Sequence, residues 1–195
     1  FGTACALFDG TGDYLTLTDH ADWDIVGSST DSWTMDFWIK YTSATGSAVG
    51  GERLINQWED NNNYWTLLAT DTALNFSAAS VGSSIIACNS ATPISDNNYH
   101  HIAVIKAGTE YGIYQDGVQT AFTSDNSTDT YAGLLYIGAR DSGTEPFAGR
   151  MDEIRIQHSN YFKVTPNAGK TSTIVVPRLP YSLSVSSGVN GYLEV

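Results

Sequence analysis

Apolar and polar positions alternate along most of this chain in short segments of about four to eight residues, each bounded by Gly, Asp, Asn or Ser. That is the pattern of successive β-strands. Tyr14, Leu15, Thr16, Leu17 and Thr18 alternate with period two, and between Thr34 and Lys40 the polar Asp36 and Lys40 fall on the face opposite Phe37 and Ile39. Both stretches predict half-buried strands. Further strands are expected over 53–57, 64–69, 74–78, 85–88, 99–106, 111–115, 134–137 and 151–157. No amphipathic helix of useful length interrupts them, and about ten strands make a sandwich.

The sharpest local signal is Asp116-Gly117 between two strand-like runs, since this pair supplies the positive φ angles of a tight hairpin turn. Ile154 and Ile156 have the spacing of an inward face. His100 and His101 are adjacent, so in a strand they point to opposite faces and cannot chelate one ion together; a structural role is expected for both. From Lys163 onward the pattern becomes irregular, and Pro166, Pro177 and Pro180 limit ladder hydrogen bonding. The expected division is a sandwich over 1–165 and a tail over 166–195 that wraps the sandwich or leads to a neighbouring domain.

Composition narrows this picture. At 195 residues, one all-β domain of full size is expected. Hydrophobic residues at 42% and charged residues at 15% supply enough apolar area to fold, which excludes disorder. The longest apolar runs, such as Thr173-Ile174-Val175-Val176, stop far short of the roughly 20 residues that span a bilayer. The net charge of −12 and scattered Lys and Arg leave no basic stripe for a phosphate backbone, so no nucleic-acid partner is expected. Acidity is carried by 15 Asp against 6 Glu, and Asp beside abundant Asn and Gly suits turns and oxygen-ligated cation sites. Cys5 and Cys88 are too few for a disulfide scaffold; a single bridge and two free thiols both fit the count, and isolated Cys in strands is more often a small buried hydrophobe. The chain begins at Phe1 without a leader pattern, so an excised or processed domain is expected, and the sequons at Asn75 and Asn126 are compatible with secretion.

Five phrases in fixed order carry a resemblance. They are Leu7-Phe8-Asp9-Gly10 leading to Asp13-Tyr14-Leu15; Trp33-Thr34-Met35-Asp36-Phe37-Trp38-Ile39-Lys40; His100-His101-Ile102-Ala103-Val104; Tyr114-Gln115-Asp116-Gly117; and Phe147-Ala148-Gly149-Arg150-Met151-Asp152-Glu153-Ile154-Arg155-Ile156. Together they resemble the laminin G-like and pentraxin-like jelly rolls of the concanavalin A-like lectin/glucanase superfamily. The resemblance fades after Phe162. It implies an all-β fold, a two-sheet antiparallel β-sandwich, with calcium and ligands near a loop-bearing rim.

The resemblance also nominates residues. Asp60-Asn61 resembles the pair with which pentraxins begin their calcium site, and a loop carboxylate beside an amide offers the hard oxygens calcium requires. The loop expected to complete it is 138–143, where only Asp141 matches; Ala139 and Arg140 replace acidic or amide side chains, so a weaker site is implied. Asp60 to Asn63 reads equally as a plain polar hairpin loop. Asp9 with Asp152 resembles a structural calcium site of lectin-like glucanases, against a salt bridge of Asp152 with Arg150 or Arg155 as the alternative. For sugar, an aromatic platform with nearby amides is the expected chemistry, and Trp58, Asn62, Asn63 and Tyr64 are the candidates, with Trp58 as the exposed contact. Trp23, Trp33 and Trp38 read as structural.

Retaining glucanases of this fold place their carboxylates on one strand as Glu-x-Asp-x-(x)-Glu, and no such pattern occurs here. No nucleophile elbow, His-Glu-x-x-His or phosphate loop is present either. The expected function is therefore a non-catalytic carbohydrate-recognition module, calcium-binding, in a surface, secreted or virion-associated protein. Its partner would be a glycan or glycoprotein. The alternative is a structural or protein-interaction domain that joins other subunits of a viral or cell-surface assembly.

Overall fold

The computed structural model describes residues 4–41, 51–70, 72–92, 94, 96–181 and 193–194. Strands β1 (Ala6–Asp9), β2 (Leu15–Leu17), β3 (Ser32–Tyr41), β4 (Glu52–Asp60), β5 (Asn63–Ala69), β6 (Leu74–Ser80) and β7 (Ser83–Ser90) are followed by β8 (Tyr99–Ala107), β9 (Glu110–Gln115), β10 (Val118–Ser124), β11 (Leu134–Ile137), β12 (Ala148–Gln157) and β13 (Leu193–Glu194). They form two antiparallel sheets. Sheet A runs β1-β12-β3-β8-β9-β10 with β13 beside β12, and sheet B runs β2-β11-β4-β5-β6-β7. The expected sandwich is present. Among the described residues no helix is long and apolar enough to cross a membrane.

Alternation fixes which side chains fill the space between the sheets. In β3, Trp33, Met35, Phe37, Ile39 and Tyr41 all point inward and are buried. They meet Trp65, Leu67 and Phe76 of sheet B, with the Trp33 and Phe76 rings 5.4 Å apart. At the end of β9, Asp116 and Gly117 take φ of 50° and 89°, and Val118 pairs with Gln115, so the hairpin is the two-residue turn that Asp-Gly encodes. Cys88 lies inside the core in β7 and Cys5 stands beside Arg150; both are free thiols, and burial pushes the Cys88 thiol up to about 12.

The outward face of sheet A is not open to water. Asp36 points outward from β3 yet is fully buried, and its carboxylate accepts from Arg155 Nε at 2.8 Å, Arg155 Nη2 at 2.9 Å and the Tyr181 hydroxyl at 2.5 Å, with His101 Nε2 at 3.1 Å. Residues 159–181 lie over this face. Ile174, Phe162 and Val164 pack on Ala103, Ile105 and Tyr114, and Thr34 donates to the Ser159 carbonyl while accepting from Tyr161 N. The Arg155 guanidinium rests 3.6 Å and 4.2 Å from the Tyr161 and Tyr181 ring centroids.

Candidate functional site on the outer face of sheet B

The other outward face belongs to sheet B, and its side chains follow from the register. Gln57 points inward, where its amide donates to the Tyr131 carbonyl at 2.6 Å and accepts from the Trp65 indole at 3.0 Å. Its neighbour Trp58 must therefore point outward. Cross-strand pairing then lays out three rows: Leu134, Trp58, Tyr64, Ala79 and Ser84; Thr16, Tyr136, Asn56, Thr66, Ser77 and Ala87; and Arg53, Leu68, Asn75 and Asn89. Gly133 allows the chain entering β11 to press on β4, since a Cβ there would lie 2.3 Å from the Trp58 carbonyl.

Aromatic and polar groups alternate across this face. The Trp58 and Tyr64 rings stack with centroids 4.3 Å apart and planes 16° from parallel. Tyr14 leans on Tyr136 at 6.0 Å. In the middle row Asn56 and Thr66 point outward but are 0% exposed. Asn56 Nδ2 donates to the Ala139 carbonyl at 2.7 Å, whereas Asn56 Oδ1 and Thr66 Oγ1 have no hydrogen-bond partner among the described residues. Such groups cost free energy until a partner arrives. Exposure rises across β6 and β7: Ser77 and Asn75 of β6 are half-buried, and Ala87 and Asn89 of β7 are open.

The loop 138–147 covers the β4 side of the face. Gly138 N donates to the Leu54 carbonyl and Arg53 N to the Glu145 carbonyl, which pins the loop at both ends. The Arg140 guanidinium stands 4.9 Å from the Trp58 ring centroid and that of Arg53 stands 5.9 Å away. Glu145 joins them, accepting from Arg53 Nε at 2.6 Å and from Arg140 Nη1 at 3.2 Å. Asp141 Oδ2 lies 3.6 Å from Arg140 Nε.

Several sequence expectations meet this geometry directly. Trp58 is 9% exposed rather than an open platform, because β4 extends past 57 to Asp60 and carries the indole into the stack with Tyr64. Tyr64 is the more exposed ring of the two. Asp60 Oδ1 closes the β4–β5 turn by accepting from Asn62 N, Asn63 N and Asn63 Nδ2, and the Asn62 amide holds this carboxyl below its usual range. Asn63 Oδ1 accepts from Val81 N, and Asn61 sits exposed in the turn. Asp60 and Asp141 approach from opposite ends of β4, because β11 runs antiparallel to it and the 138–147 loop leaves at the level of Leu54.

Asp9 and Asp152 do not converge either. Asp9 pairs with Ala148, four positions along β12 from Asp152, or roughly 13 Å at the usual strand rise. Asp9 Oδ1 accepts from Thr11 N and Asp152 Oδ1 from Glu153 N, while Arg155 is committed to Asp36. Asp9 and Asp152 are thus too far apart to share one ion, and among the described residues no three His, Cys, Asp or Glu side chains group to hold a metal. The residues missed by sequence reasoning are Asn56, Thr66, Ser77, Tyr136, Arg53 and Glu145. Only the period-two placement of Thr66 opposite Trp65 signalled any of them.

Comparison with known proteins now places this scaffold. The family model Laminin_G_3, described as the concanavalin A-like lectin/glucanases superfamily, matches residues 9–160, and the chain belongs to this family. No curated protein sequence matches it. Among solved structures, domain 4 of AbnA, a GH43 extracellular arabinanase from Geobacillus stearothermophilus in complex with arabinotriose, is similar with a TM-score of 0.59 and 16% identity over 88% of this chain and 72% of that one. A heptameric SAP-like pentraxin from Limulus polyphemus gives 0.52 and 13% over 79% and 75%. Botulinum neurotoxin type C, in a structure concerned with interaction with two ganglioside molecules, gives 0.58 and 15% over 79% of this chain but 39% of its own. At these identities the likeness is one of fold.

Proposed function

We propose that this member of the concanavalin A-like superfamily is a non-catalytic carbohydrate-binding module and that it takes its ligand on the outer face of sheet B. One observation carries the reading. The face combines a stacked aromatic pair with two outward polar groups, Asn56 Oδ1 and Thr66 Oγ1, that have no hydrogen-bond partner among the described residues. A saccharide suits this face, since its C–H face packs on the Tyr64 ring, its hydroxyls bond Ser77, Asn75 and Asn89, and the 0%-exposed acceptors of Asn56 and Thr66 come within its reach once the side chains above them move aside. Tyr64 offers the ring, Asn75, Ser77 and Asn89 line the open end, and Asn56 and Thr66 form the floor beside the Arg140 side chain. The arabinotriose complex and the ganglioside-dependent toxin support a saccharide ligand by likeness of scaffold. An extracellular setting is part of the same proposal, supported by likeness of scaffold to an extracellular arabinanase.

A single domain with one shallow face binds weakly, and repeated copies raise the overall strength. A glycan array followed by titration calorimetry on the native chain and Tyr64→Ala tests the reading. Binding by the native chain that falls with Tyr64→Ala is expected. Binding that survives Tyr64→Ala and also a Thr66→Val change would move the site off this face.

A further inference from the structure

Charge is distributed unevenly in this molecule. The chain carries 21 acidic and 9 basic residues, yet β5, β6 and β7 contain none of them. The outward row positions from Tyr64 to Asn89 therefore present only aromatic, amide, hydroxyl and methyl groups. Among the described residues, charges enter this face beside Trp58, and there they cancel. Arg53 and Arg140 contribute two positive charges, and Glu145 and Asp141 contribute two negative ones.

Glu145 is the keystone of that cancellation. Its two carboxylate oxygens are divided between the two guanidiniums, at 2.6 Å to Arg53 and 3.2 Å to Arg140. Its backbone carbonyl also accepts from Arg53 N, so the residue grips Arg53 twice. To do so Glu145 adopts φ of 50°, a left-handed state that side-chain-bearing residues avoid. The side chains of Arg53 and Glu145 are about nine-tenths buried, at 10% and 12% exposure, so bulk salt screens the pair little. Without Glu145, two planar guanidiniums beside an aromatic stack would form a clamp suited to carboxylate or sulfate.

We propose that Glu145 determines the ligand's charge class, so that the face accepts neutral saccharide chains and turns away carboxylated or sulfated ones. This rests on the saccharide reading above. An acidic sugar lying from Tyr64 to Asn89 would lose water from its charged group and find no free cation in exchange. The net charge of −12 opposes its approach as well. A neutral chain suffers neither cost. Glu145 acts through the two arginines and is a specificity residue, not one that touches ligand.

The test titrates the native chain, Glu145→Gln and Ser77→Arg with neutral gluco-, galacto- and arabino-oligosaccharides and with length-matched uronic-acid and sulfated oligosaccharides, at low and at physiological salt. Native protein is expected to bind neutral members and to bind acidic members at least about tenfold more weakly. Glu145→Gln should gain about tenfold for acidic members, a gain that salt reduces, while its affinity for neutral members holds. Ser77→Arg adds a cation at a half-buried position without touching the Arg53–Glu145 pair, so it supplies the same gain even where Glu145→Gln fails to fold. Acidic members binding native protein as well as neutral ones, folded Glu145→Gln keeping the native ranking, or, where that variant does not fold, Ser77→Arg keeping it, would overturn the inference and leave the saccharide reading standing. Native protein that binds no saccharide of either class overturns both.

Discussion

The two outward faces of this sandwich start from similar material and end in opposite states. On sheet A, Asp36 and Thr34 point outward and every polar atom of Asp36 is met, by Arg155, His101 and Tyr181. On sheet B, Asn56 and Thr66 point outward at equal depth and each keeps an unmet acceptor. The difference is the cover. Residues 159–181 bring matched donors and apolar side chains to sheet A, whereas the 138–147 loop reaches only the β4 margin of sheet B. An outward direction in a strand thus says little about exposure. On sheet A the buried charge of Asp36 is met from within the chain, although His101 Nδ1 lacks a partner among the described residues, whereas on sheet B the unmet atoms are the acceptors of Asn56 and Thr66.

Breaking the sealed face should give the largest effect. Asp36→Ala leaves Arg155 buried without its carboxylate, and the expected loss is about 3–5 kcal/mol in urea unfolding. Saccharide binding by the folded fraction should be unchanged. If Asp36→Ala instead spared stability and abolished binding, the roles of the two faces would be reversed.

On the open face, two aromatic truncations sharpen the contrast. Trp58→Ala removes a ring that is 9% exposed and packed by Tyr64 and Arg140, so about 3 kcal/mol of stability should go, the lower end for a buried Trp. Tyr64→Ala removes the more exposed ring; the stability cost should be about 1 kcal/mol and binding should weaken by a similar amount, roughly fivefold. Equal stability losses for the two would mean that Tyr64 is packing and not platform.

These contrasts also mark what the sequence could reveal. The alternation of β3 placed Trp33, Phe37 and Ile39 inside correctly, and Asp116-Gly117 announced its turn, because both signals are local. Asp36 read as a surface residue. Its partners Arg155 and Tyr181 stand 119 and 145 positions away, and no local pattern reports a cover that distant. Trp58 read as an exposed loop aromatic because the Asn-rich turn beside it suggested an earlier strand end. Glu145 drew no notice, since its meaning lies in Arg53, 92 positions upstream. Asp9 and Asp152 are set apart by register, which strand composition does not encode when a strand such as β1 can pair at several offsets.

A subtler pair of substitutions compares satisfied with unsatisfied hydroxyls. Tyr181→Phe deletes a donor to Asp36 and should cost about 1 kcal/mol. Thr66→Val deletes a hydroxyl with no partner among the described residues, so stability should stay within about 1 kcal/mol of native or rise, while saccharide affinity falls. Thermal melts and calorimetry on the same samples read both quantities. A Thr66→Val protein that loses stability as Tyr181→Phe does would show that the hydroxyl already has a partner.

The smallest effect concerns pH and the rim of sheet A. His100 lies between two carboxylates, with Nδ1 2.6 Å from Asp116 and Nε2 2.9 Å from Asp96. Burial works against the imidazolium, but hydrogen bonds to Asp116 and Asp96 outweigh it and raise this histidine above its ordinary value. A raised folded value means that the protonated ring stabilises the fold. Its contribution is complete below the unfolded value of about 6.5 and is lost as pH climbs through the folded value. Asp96 has the opposite sign: Asn98 and His100 hold its carboxyl well below the usual range, so its contribution is kept at neutral pH and lost only in acid. Because both carboxylates are about half exposed, the histidine effect should remain under about 1 kcal/mol and shrink in salt. Melting temperature measured from pH 6 upward should therefore fall slightly in native protein and lose that increment of slope in His100→Gln. Across the same window saccharide binding should stay level, because strands β5 to β7 carry no histidine or carboxylate. Binding that follows the histidine would tie the ligand to the rim of sheet A and end the separation of the two faces.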